Sequence, residues 1–177
     1  MTDDSRIERF TATMLVHLDA AYNLSRWIVG DRALAEDAVQ DACIKALCAF
    51  ESRTGPSAKA WFLAIVRNTC LDALRSRRRR GIEDEFDEEV HRDTDSRIAT
   101  PEAMAERASQ ARWVRAQIER LPVDYREVIV LRELEEMSYK EISAIVKVPV
   151  GTVMSRLARG RDLLATRIRA EAKRRPG

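Results

Sequence analysis

Apolar residues recur at helical spacing along most of this chain, in runs separated by Gly, Pro and charged stretches. Leu15, Leu18, Tyr22 and Ile28 make the apolar side of the opening helices. Gly30-Asp31 breaks that pattern, and Asp31 can cap the next helix. Leu34 to Phe50 then predicts an amphipathic helix with Val39, Cys43, Ala46, Leu47 and Phe50 as its core stripe. A second stripe on the same helix is mostly polar: Asp37, Gln40, Asp41, Ile44 and Lys45. Ile44 is its odd member, either a stray exposed aliphatic or part of an interface patch. A loop with Gly and Pro as breakers, Glu51 to Ser57, leads to a helix over Ala58 to Arg80. There Phe62, Val66, Cys70, Ala73 and Leu74 form the buried side, with Trp61, Ala64, Asn68, Asp72 and Arg75 on another.

Periodicity stops between Gly81 and Ala99, an acidic stretch poor in large apolar residues, which reads as a flexible linker. Helix restarts at Thr100-Pro101, threonine as N-cap and proline at the first helical position. Met104, Ala108, Ala111, Ile118 and Leu121 give this helix its face, and Pro122 ends it. Asp124 to about Met137 predicts a further helix supplying Val128, Ile129 and Leu131. Ser138 and Glu141 then have the spacing of a capping box, with Ile142, Ile145 and Val146 after them. Pro149 is expected to stop that short helix. The next run places Val153, Leu157 and Leu164 on one side and Thr152, Ser155, Arg156 and Arg159 on the other. Two short helices, a tight turn and a basic face make a helix-turn-helix with a candidate reading surface. Any helical hairpin shares this pattern, so the motif alone leaves DNA binding and a solvated surface equally open.

Composition favours an all-α protein, since six glycines and five prolines punctuate a chain dominated by helix formers. No run of about 18 apolar residues occurs, and the N-terminus has no apolar signal core, so a cytoplasmic location is expected. The net charge of +2 hides segregation. Six arginines against one acid lie between Arg67 and Arg80, and eight acids against Arg92 between Glu83 and Asp95. Eight basic residues against two acids lie between Arg156 and Arg175. Two basic faces joined by an acidic strap are implied. Arginines at 77 to 80 suit the helix dipole, but four in a row exceed that need, and with Arg67 and Arg75 favour a phosphate-contacting surface. Cys43, Cys48 and Cys70 are odd in number and lack zinc spacing; they read as small core residues. His17 and His91 stand alone, and no nucleophile–base set, metal spacing or Gly-rich phosphate loop occurs. Neither an enzyme nor a cofactor is expected.

Three stretches in order resemble the extracytoplasmic-function (group IV) sigma factors, specificity subunits of bacterial RNA polymerase. AEDAVQDACIKAL (Ala35 to Leu47) looks like the family's polymerase-binding helix. AWFLAIVRNTCLDALRSRRRR (Ala60 to Arg80) looks like its −10 recognition helix, with the skeleton W-x-x-x-I-x-R-N-x-x-x-D-x-x-R. LPVDYREVIVLRELEEMSYKEISAIVKVPVGTVMSRL (Leu121 to Leu157) is similar to its −35-binding domain. The resemblance implies two small helical domains, region 2 over residues 7–80 and region 4 over 100–173, joined by the linker 81–99.

The resemblance also implies roles. Asp37, Gln40, Asp41 and Ile44 would bind core polymerase, whose largest-subunit coiled coil and flap are the expected contacts. Trp61, Asn68, Arg75, Arg77 and Arg78 would face the −10 element; Asn68 and the loop from Arg53 to Lys59 lie where a base is flipped out and captured. Asn offers donor and acceptor to a base edge. Trp61 is either a melting wedge or core. Thr152, Met154, Ser155, Arg156 and Arg159 would meet the −35 element. Met154 stands where Lys or Arg is frequent, and Gly160 where Ala is usual, so a borrowed −35 consensus is not expected to hold. The linker is either a nucleic-acid mimic threading the polymerase or a spacer. An anti-sigma protein is a further expected partner. Two other classes compete: a stand-alone helix-turn-helix regulator, which leaves the Asp37 stripe and the Trp61 helix idle, and a helical interaction module, which would support no promoter-specific transcription.

Overall fold

The computed structural model describes residues 3–55, 57–81 and 101–172, with side chains from residue 4 and, after the break, from 108 to 170. Every regular element among the described residues is helical, with no strand among them. In order they form α1 (Asp3–Met14), α2 (Leu18–Val29), α3 (Arg32–Ala49), α4 (Ala58–Arg79), α5 (Pro101–Glu119), α6 (Val123–Ile129), α7 (Tyr139–Val146) and α8 (Val150–Ala172). None is long and apolar enough to cross a membrane. The acidic stretch from 82 to 99, the Thr100 cap and the Met104 side chain lie outside the described residues.

Local chemistry sets several boundaries where the sequence puts them. Gly30 ends α2 at φ 75°, its N–H bonded to the Arg26 carbonyl; a left-handed residue there favours glycine. Asp31 Oδ1 accepts the Leu34 N–H at 2.6 Å and starts α3. Ser57 caps α4 through the Ala60 N–H. The box at α7 is complete: Ser138 N–H donates to Glu141 Oε2 at 2.9 Å, and Glu141 N–H to Ser138 Oγ at 3.3 Å. Such caps contribute about 1 kcal/mol each.

Other boundaries differ from the pattern. Lys147, left-handed at φ 57°, ends α7 two residues before Pro149, and Pro149 instead accepts the first N–H groups of α8. The helix expected from Asp124 to Met137 gives way after Ile129 to a wider π turn at Val130–Leu134.

In the first half α2, α3 and α4 pack on one another around Leu24, Ile28, Phe62, Leu63, Val66 and Cys70. The face that α3 buries is Ala35, Ala38, Ala42 and Ala46, one position round from the expected stripe. Val39 and Cys43 are half-buried at its edge, because alanine lets α2 and α4 approach closely while larger side chains fit only beside the seam. Leu15 is exposed and Met14 takes its core place. Ala108 and Ala111 are also exposed, so among its described side chains α5 buries mainly those near its C-terminal end. Cys48 is exposed, against the expectation for it, whereas burial pushes the Cys70 thiol up to about 11 and keeps it protonated.

In the second half Val128, Ile129, Leu131, Ile142, Ile145, Val153 and Leu157 close the core of α6, α7 and α8. Gly160 continues the buried stripe of α8: a Cβ there would meet Ile129 Cδ1 at 2.7 Å and Tyr125 Cβ at 3.3 Å. The residue that weakens the helix therefore lets α8 lie against α6. Gly160→Ala should leave thermal stability nearly unchanged, its helix gain of up to ~1 kcal/mol offset by displacing Ile129. Gly160→Leu should cost about 1–3 kcal/mol, read as a lowered melting temperature.

The two halves also pack on each other, α4 against α7 and α2 against α6, and their buried residues join in one cluster. Arg115 of α5 lies over the Trp27 ring of α2, 5.0 Å from its centroid.

Candidate nucleic-acid interface

Burying the alanine face of α3 turns the opposite face outward. Asp37, Gln40, Asp41 and Ile44 are all exposed along it, Ile44 at 63%. An aliphatic ringed by carboxylate and amide groups, with its supporting helix fixed from behind, has the composition of a partner-binding patch.

On α4 the candidates divide. Trp61 is half-buried and packs against the core. Asn68, two turns further along, is also half-buried, and Arg75 is exposed in a surface pair with Asp72 at 2.8 Å. The arginine run splits: Arg77 turns back towards Asp31 at 3.7 Å, while Arg78, Arg79 and Arg80 face solvent. Arg67, expected on the phosphate surface, is not there. Its position on α4 faces α6, and it forks onto Glu127 with Nε–Oε2 at 2.7 Å and Nη2–Oε1 at 2.9 Å.

On α8 Met154, Ser155 and Arg159 are exposed and Thr152 is half-buried in the first turn. Ser155 Oγ donates to the Thr152 carbonyl at 3.0 Å, leaving its lone pairs outward. Ser155 and Arg159 border a shallow groove with Asp162, Leu163 and Thr166. Arg156 is less open: Nη2 lies 3.4 Å from Asp124 Oδ2 and Nη1 lies 3.6 Å from Glu127 Oε1. Burial pushes the Glu127 carboxyl above the usual carboxylate range, against the pull of the Arg67 fork. Neither Glu127 nor Asp124 is a candidate from the sequence. Their only signal there is acidic residues just after Pro122, which reads as ordinary helix-start preference.

The structure thus presents an outward mixed patch on α3, an amide with arginines on α4, and a hydroxyl, a thioether and guanidinium groups on α8. Guanidinium and amide side chains are the groups that read base edges and grip phosphate.

Residues 14–80 match the model of Sigma-70 region 2, and residues 111–164 that of Sigma-70 region 4. The chain is 36% identical over 144 residues to the ECF RNA polymerase sigma-E factor of Escherichia coli strain K12, covering 78% of this chain and 75% of that one. It is 37% identical over 142 residues to the protein of the same description from Haemophilus influenzae, covering 75% and 73%. Among solved structures, the fold is shared with the sigma factor RpoE of Bartonella quintana, crystallised with the anti-sigma factor NepR (TM-score 0.76, 24% identity, 92% and 98% covered). It is shared also with CnrH, solved with the cytosolic domain of CnrY (TM-score 0.63, 22% identity, 91% and 88% covered).

Proposed function

The chain belongs to the extracytoplasmic-function sigma factors of RNA polymerase, and we propose that it grips core polymerase through α3 and promoter DNA through α4 and α8. It is a transcription initiation factor: it directs polymerase to promoters and catalyses nothing itself, acting in the cytoplasm where polymerase works. The observation that carries this reading is the exposed stripe Asp37, Gln40, Asp41 and Ile44 on the same chain as a helix-turn-helix. A stand-alone regulator has no use for that stripe.

In this reading Asn68 accepts a −10 base flipped from the stack, whose unstacking costs a few kcal/mol that the pocket must offset. Arg75 and Arg78 track the backbone phosphates. Arg77 joins them on leaving Asp31, and Trp61 serves as support from the core. At the −35 element Ser155, Arg156 and Arg159 read the major groove, Thr152 meets the backbone, and Met154 offers an apolar contact suited to a thymine methyl. An anti-sigma protein is the regulator that the solved RpoE–NepR complex suggests.

In vitro transcription with core polymerase over a promoter library tests the function. Promoter-specific starts that need this protein are expected; none would overturn the reading. Arg156→Ala should weaken binding of holoenzyme to the −35 duplex by about 1–3 kcal/mol, roughly 5- to 150-fold. Asn68→Ala should leave that binding intact and lower the fraction of promoter opened, read by permanganate footprinting. Wild-type transcription from both variants would remove these residues from the interface even with the family right.

A further inference from the structure

Arg53 opens the loop between α3 and α4, and a tight turn over Phe50–Ser52 leads into it. The Arg53 N–H closes that turn on the Phe50 carbonyl at 3.3 Å, and Ser52 Oγ donates to the Ala49 carbonyl at 2.9 Å. The turn lays the Arg53 guanidinium over the Phe50 ring, 5.9 Å from its centroid. Phe10 of α1 braces that ring edge to face, with centroids 5.5 Å apart and planes at 86°. A guanidinium resting on a ring keeps its N–H edge for a second partner. Among the described residues none takes it: the Arg53 side chain makes neither hydrogen bond nor ion pair.

The acid best placed to take it is engaged elsewhere. Glu51 is the only acidic residue from Phe50 to Ala60, and Arg53 is the cation nearest to it in the chain. Glu51 pairs instead with Arg9 of α1. Both side chains of that pair are 46% exposed, so it adds little to stability. Its effect is on charge, because it decides which guanidinium Glu51 neutralises.

We infer that Arg53 binds a backbone phosphate of the single-stranded −10 element, and that Arg9 is a positioning residue that keeps Arg53 available by engaging Glu51. A phosphate offers the free guanidinium edge a pair of oxygens. The ring beneath orders the side chain in advance, which lowers the entropy lost on binding. With Glu51 drawn to α1 the turn carries an uncompensated positive charge, and attraction of that kind is the same whatever the base sequence. The phosphate contact rests on the promoter reading of α4; the competition of Arg9 and Arg53 for Glu51 does not.

The test uses holoenzyme assembled from core polymerase and the full chain. Its probe is a single-stranded non-template −10 oligonucleotide from a promoter found by the transcription screen. Arg53→Met should weaken binding roughly tenfold, and equally on oligonucleotides altered at any one −10 base. It should also flatten the slope of log affinity against log salt by about 0.7, the share of one single-strand phosphate. Arg53→Lys should keep the wild-type slope. Arg9→Met should reproduce the loss without lowering the melting temperature, and Glu51→Gln added to it should recover wild-type binding. In the Arg53→Met background Arg9→Met should add nothing. A loss in Arg9→Met that Glu51→Gln leaves uncorrected would overturn the positioning role. An unchanged slope in Arg53→Met, or a loss at one base only, would overturn the phosphate contact. Wild-type holoenzyme that ignores the oligonucleotide would overturn the promoter reading and the phosphate contact together. A flattened slope in Arg53→Met beside wild-type behaviour of Asn68→Ala would remove base capture and uphold the phosphate contact.

Discussion

Asp37→Arg combined with Ile44→Asp should abolish association with core polymerase while leaving the melting temperature where it was. Both side chains are exposed on α3 and neither supports the core, which that helix meets through Ala35, Ala38, Ala42 and Ala46. Surface substitutions of this kind usually stay within about 0.5 kcal/mol of wild-type stability. At an interface the balance is different. Truncating a central contact costs about 2 kcal/mol or more, and a reversed charge opposite a complementary patch costs several. Together they correspond to a loss of at least about a thousandfold in affinity. A fluorescence anisotropy titration of labelled protein with core polymerase reads this directly. Binding as tight as wild type would take α3 out of the interface.

Phe62→Ala should be the most destabilising single change in the first half. The ring is fully buried on α4, the helix that packs on both α2 and α3. Removing a buried phenylalanine costs about 3–5 kcal/mol, part lost transfer energy and part the cavity left behind. Domains of this size have only about 5–15 kcal/mol to lose, so the urea midpoint monitored by circular dichroism should fall steeply. Trp61, its neighbour, is only half-buried. Trp61→Ala should therefore cost distinctly less and separates the role of core support from that of a wedge at the DNA. Equal effects at the two positions would mean that α4 is rotated from the orientation described.

How much the residues alone reveal depends on how far apart the interacting groups are. The Asp31 cap, the Ser138–Glu141 box and the buried faces of α7 and α8 are settled within one or two helical turns, and all are legible. The end of α7 is not: proline is the louder signal, but the left-handed Lys147 stops the helix first. Periodicity misplaces the buried face of α3 by one position because Ala, Val, Cys and Leu all count as apolar. Which of them goes inside depends on how closely α2 and α4 approach. Gly160 reads as a weak point of a helix, and only the position of Ile129 explains it. The exposed stripe of α3 and the outward positions of α8 are visible as periodic patterns. The Arg67–Glu127 fork is not, since 60 residues separate its ends and each has a sufficient local explanation.

The alanine seam of α3 has an evolutionary corollary. A helix seated by its backbone and four methyl groups asks nothing of its outward side chains, so residues there can be exchanged without a folding penalty. Selection for a partner can then act on Asp37, Gln40, Asp41 and Ile44 with little interference from selection for stability. The reverse holds at α8, where Arg156 faces Asp124 and Glu127 as well as solvent. Exchanging Arg156 disturbs contacts with α6 too, so on the proposed reading promoter preference at that position should drift more slowly than affinity for polymerase.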